Sequence, residues 1–313
     1  MTGLLIKNIA FEPGFDDLVD EFPLWEAGNT YGFPEGPLFL PQGFMIFSDI
    51  THERIVRYAP PFWNGVLREN SGGANGNTLD TEGRLISCEN HLKRLTRTEP
   101  DGTITVLADS FDGRPLNAPN DVVVRSDGAI FFTDPIFMGD YEEVLAPSLM
   151  TQKACRVLRL DVDGTLSPVT EEVSKPNGLA FSPDESVLYV VNSAEQNVAA
   201  LDVDAGGNLS NYRIWLDMEH RLEGPGDGMK IDTLGNGYVT GPGGVWVCDS
   251  NGKPLGIIRT PGVTTNCAFY GYDSKLLFIT GTIGTYVIRL KVPGISVYDR
   301  GPTDGLAWVT QPA

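Results

Sequence analysis

Histidine is scarce in this chain: three among 313 residues, at His52, His91 and His220. No GxSxG elbow accompanies them, so a Ser-His-Asp triad is not supported. The four cysteines, Cys88, Cys155, Cys248 and Cys267, are scattered with no CxxC pair. That argues against a zinc site or redox motif and for reduced, buried thiols. No apolar run approaches the roughly 20 residues of a membrane span, and the opening MTGLLIKNIAFEP has no apolar h-region. A cytoplasmic protein with no membrane partner is expected. Basic residues are outnumbered 23 to 41, for a net charge of −18. Such a surface repels phosphate backbones, so nucleic acid is not an expected partner. The acidity reads as solubility, or as a local cluster of carboxylates around a cation. Amphipathic helical periodicity over three turns is also missing.

Glycine (36) and proline (22) are plentiful, and 41% of the residues are hydrophobic. A globular chain rich in turns follows. At this length it holds two domains or one large β or α/β architecture. A repeat favours the single unit. A turn followed by a β-rich run recurs six times, at QGFMIFSD (42–49), EGRLISCE (82–89), DGAIFFTD (127–134), DESVLYVVN (184–192), LGNGYVTG (234–241) and DSKLLFITG (273–281). Spacings of roughly 39 to 57 residues suit β-propeller blades. The expectation is an all-β, six-bladed β-propeller spanning 1–313, with inner strands beginning near 35, 75, 120, 177, 227 and 266.

The turn residues Gly43, Gly83, Gly128, Glu185, Gly235 and Ser274 set a common register. Eight positions before each stand Glu35, Asn75, Asn120, Asn177, Asp227 and Asn266, all bearing side-chain oxygen acceptors. Singly, an Asn or Asp beside Pro and Gly reads as a turn residue. In shared register on strands that line a channel, the six form a ring. Converging carboxylates repel and converging amide oxygens lack donors, unless a cation sits among them. Hard divalent cations prefer such oxygens. Pro lies just before Glu35, Asn120, Asn177 and Asp227, where it stiffens the backbone. Those four are the expected ligands; Asn75 and Asn266 lack the proline and are expected around the site.

The segments NGNTLDTEGRLISCEN (75–90), LNAPNDVVVRSDGAIFFTDP (116–135), PNGLAFSPDESVLYVVN (176–192), PGDGMKIDTLGN (225–236) and GPGGVWVCDSNGKPLGII (241–258) closely resemble the gluconolactonase family, which includes senescence marker protein and the luciferin-regenerating enzymes. The likeness runs from about residue 33 to 290. It implies a six-bladed propeller with one central divalent cation, calcium first, with manganese, magnesium, zinc or iron as alternatives. It implies metal ligands at Glu35, Asn120, Asn177 and Asp227, and hydrolysis of a small-molecule sugar lactone. Asp227 is the candidate base, or nucleophile in a covalent variant. Asn75, Glu89, His91, Asn117 and Asn266 are candidate substrate contacts. Asp49, Glu89, Asp134 and Asn192, at the ends of second strands, are candidates to support ligands or touch substrate hydroxyls. The chain departs from the family pattern at His91, at Ile136-Phe137-Met138 and at the extra Gly226, which bears on substrate identity. Residues 137–155 interrupt the repeat as a candidate lid, and 12–33 is a second segment expected near the channel. Phosphotriester hydrolysis and a non-catalytic binding propeller are the alternatives. A monomer is the default.

Overall fold

A computed structural model describes residues 2–4, 6–21, 23–59, 63–136, 151–219 and 222–295. Six antiparallel sheets of four or five strands follow one another in it, arranged as a six-bladed β-propeller, with a two-stranded hairpin of Ser110–Phe111 and Arg114–Pro115 beside them. The inner strands are Pro34–Leu40, Ala74–Leu79, Val122–Val124, Pro176–Phe181, Met229–Ile231 and Thr264–Tyr270. They begin within two residues of the positions expected from the repeat. Most of the 137–155 segment lies outside the described residues; only 151–155 are within them.

The turn joining the first two strands is the same in all six blades. Gly43, Gly83, Gly128, Glu185, Gly235 and Ser274 all adopt positive φ. Each donates its N–H to the carbonyl three residues earlier, at 2.9–3.0 Å. Four are glycine, which takes this conformation at no steric cost. Glu185 accepts the strain, and its carboxylate takes the N–H of Ser126 in the neighbouring blade.

Second strands read as continuous apolar runs because both faces are covered by adjacent blades. Phe44–Asp49 is buried throughout. Fourth strands can lie far more open, as in Leu209–Asp217, where eight of nine residues are half-buried or exposed. Between the first and last blades, Phe47, Tyr58 and Phe278 pack with ring centroids 5.4–5.7 Å apart. Each such burial stabilises by about 1.5–3 kcal/mol.

The last blade is completed from the other end of the chain. Leu24–Gly28 pairs with Thr285–Arg289 and so provides the fourth strand of the sheet that begins at Thr264, with Thr2–Leu4 paired outside it. Ring closure therefore depends on a non-local pairing. Leu24 is 2% exposed in that seam. Leu24→Ala is expected to cost roughly 2–5 kcal/mol, read as a lowered urea midpoint, whereas Leu234→Ala at an exposed turn should stay within about 0.5 kcal/mol.

Candidate functional site

At one end of the channel four of the six inner strands carry a bulge. The register shifts between Glu35 and Leu38, Ala74 and Asn77, Pro176 and Leu179, and Thr264 and Cys267. In the other two blades Asn120 and Asp227 precede the strand and pair by backbone bonds to Thr133 and Thr240. The residue after the ring position is Gly36, Gly76, Gly178 or Gly228 in four blades. Gly76 and Gly178 donate their N–H to the carbonyls of Asn120 and Asp227 in the next blade, at 2.7 and 3.0 Å. A Cβ on Gly178 would stand 2.4 Å from the Asp227 carbonyl oxygen. Neighbouring blades are thus stitched together at the level of the ring.

The ring residues are buried except Asp227, which is half-buried. Glu35 Oε2 accepts from Gly36 N at 2.6 Å and from Asn266 Nδ2 at 2.9 Å. Asn266 Oδ1 is taken by Cys267 N, so Asn266 is spent on holding Glu35. Asn177 Nδ2 donates to Ser193 Oγ, which donates to the Gly226 carbonyl. Asp121 is a member that the repeat reasoning passed over. It stands where four other blades have glycine, is buried, and accepts from Val122 N with Oδ1 at 2.9 Å. The signal was present as the one acid in that column of the repeat.

The electrostatics are those of crowded acids. Burial, and then the nearby charge of Asp121, push the Glu35 carboxyl up to about 7, against the pull of Asn266 and Gly36. Burial, then Glu35 and Asp121, hold Asp227 well above the usual carboxylate range. Burial also raises Asp121. Meanwhile Asn75 Oδ1, Asn177 Oδ1 and Asp121 Oδ2 are buried with no hydrogen-bond donor. No group of three or more His, Cys, Asp or Glu forms a metal cluster among the described residues. The donor set is instead mixed amide and carboxylate oxygen, which fits a hard cation such as calcium and does not favour a soft one.

Acids at the ends of second strands grip the approach to the ring. Asp49 accepts from Gly32 N and Phe33 N, three and two residues before Glu35. Asp134 accepts from Asn117 N at 2.9 Å and Ala118 N at 2.8 Å, at the same offsets before Asn120. Asn192 Oδ1 accepts from Lys175 N and Ser174 Oγ ahead of Asn177. Asp227 has no such grip, because Gly241 occupies the equivalent place. The remaining candidates are engaged within the protein. Glu89 takes Arg68, Arg94 and Thr96. Asn117 bonds Asp134 O, Ala154 O and Gln152 N. His91 Nδ1 lies 2.8 Å from Glu53 Oε1.

Residues 33–283 match the profile described as "SMP-30/Gluconolactonase/LRE-like region". A gluconolactonase of Zymomonas mobilis is 30% identical, over 94% of this chain and 89% of its own length. A Xanthomonas campestris structure described as a gluconolactonase superposes with TM-score 0.84 at 30% identity, covering 92% of this chain and 96% of that one. Regucalcin of Agrobacterium tumefaciens, described as calcium-binding, shares the fold at TM-score 0.69 and 20% identity, covering 90% and 97%.

Two outcomes follow from these contacts. Asp134→Ala strands two buried N–H groups, so a loss of roughly 2–5 kcal/mol is expected, visible as a lower melting temperature, with Asp134→Asn intermediate. A carboxyl whose folded pKa is about 7 against an ordinary 4.5 holds its proton more tightly when folded. Stability of the chelated protein should therefore fall as pH rises from about 4.5 through about 7. Melting temperatures across that range check this, and Glu35→Gln should flatten the slope.

Proposed function

The chain belongs to the SMP-30/gluconolactonase/LRE-like family, and from that premise we propose that it hydrolyses a sugar lactone to the hydroxy acid at the ring end of its channel. Glu35, Asn120, Asn177 and Asp227 would hold one divalent cation there. The observation that carries the reading is the meeting of three crowded carboxylates with buried amide oxygens that lack donors. The Zymomonas and Xanthomonas relatives are both named gluconolactonases. The Agrobacterium protein's description favours calcium; manganese, magnesium, zinc and iron are the alternatives. When bound, the cation polarises the lactone carbonyl and stabilises the oxyanion that forms.

The chain's own residues do the rest. Glu35, gripped by Gly36 and Asn266, serves as a fixed ligand. Asp227 is the ring's accessible acid and the one without a grip on its approach, which suits a group that exchanges protons. Its carboxylate takes a proton from water as the water oxygen bonds to the carbonyl carbon. The ring C–O bond then breaks, and the proton passes to the departing hydroxyl oxygen. One water is consumed and the ring opens. Asn75, whose Oδ1 has no donor, would meet the ion or a sugar hydroxyl. Glu89, Asn117 and Asn266 support the walls, and His91 joins two loops at the rim. One subunit suffices for this chemistry.

The test is ring opening of a panel of aldonolactones, followed by proton release. Activity should vanish with EDTA and return with calcium. Asp227→Asn keeps a ligand oxygen and loses the base, so kcat should drop about 10²- to 10⁴-fold. Lactone opening that ignores chelation would overturn the proposal.

A further inference from the structure

Below the ring the channel continues as a cavity of about 110 Å³ walled by all six inner strands. Three residues past each ring position stand Leu38, Thr78, Val123, Ala180, Lys230 and Phe269, all in that wall. Lys230 is the one charged residue in the described lining. It is half-buried, and its Nζ donates to the Met229 carbonyl at 2.9 Å. This keeps the ammonium inside the channel, where its field reaches Glu35, Asp121 and Cys267. Asp121 Oδ2, one of the acid oxygens this field reaches, is buried without a donor. Nothing in the lactone chemistry requires a lysine here, and five blades do without a charge at this position.

We propose that Lys230 sets the valence of the ion the channel prefers. This rests on the ion-site reading above. Glu35, Asp121 and Asp227, when ionised, carry three negative charges, and the fixed ammonium leaves two. One dication cancels that remainder. Without Lys230 three negative charges remain, and a trivalent ion is the better match. An ion of charge three feels the loss of the ammonium by one unit more than an ion of charge two, so the preference should move by about tenfold.

The experiment titrates the chelated full-length protein with calcium and, separately, with terbium, and compares the two dissociation constants. Lys230→Met and Lys230→Gln should both raise the preference for terbium, the calcium dissociation constant divided by the terbium one, about tenfold, while Lys230→Arg holds it at the wild-type value. A lysine that merely props the channel wall would weaken both ions alike and leave the ratio unchanged, and that result overturns the proposal. Should one neutral variant fail to fold, the other carries the comparison. A wild-type protein that binds neither ion strikes the ion-site reading itself, and with it this inference. A wild type that binds calcium, with neutral variants of unaltered ratio, strikes the inference alone.

Discussion

Three carboxylates that repel one another, Glu35, Asp121 and Asp227, meet at the head of the channel, and the surrounding structure is organised around that repulsion. Burial makes each charge more costly, and proximity adds to the cost. A propeller can hold such a cluster because its position is over-determined. Each acid hangs from a different strand, the strands are stitched by glycine N–H groups at ring level, and six packed blades prevent the channel from widening to relieve the strain.

The support is uneven in a way that suits the proposed division of labour. Glu35 is held by two donors and its approach by Asp49. Asn120 and Asn177 are approached through backbone fixed by Asp134 and Asn192. Asp227 sits opposite Gly241 and keeps contact with the channel. Ligands benefit from rigidity; a group that takes and returns a proton benefits from access.

Much of this was legible before any coordinates. The six turn residues share one backbone conformation, so the register drawn through them is a register of real geometry. The ring positions followed by counting. The grip of Asp49, Asp134 and Asn192 was visible only as acceptor residues at strand ends, because a hydrogen bond to backbone 16 or 17 residues away leaves no trace in side-chain identity. Asn266 looked free to meet substrate, and its bond to Glu35 joins residues 231 apart.

The sequence alone determined the blade count, the strand order within each blade and the level at which oxygen-bearing side chains would gather, because turns and alternation are local and a repeat copies them. The tertiary structure decided which of those side chains are free. Closing the ring brings the first blade against the last and pairs Leu24–Gly28 with Thr285–Arg289. Only then do Glu35 and Asn266 meet, Asp121 enter the gap that neighbouring glycines leave, and Lys230 share a channel with all three acids. Charges interact through space, and their distances are set by how the blades close.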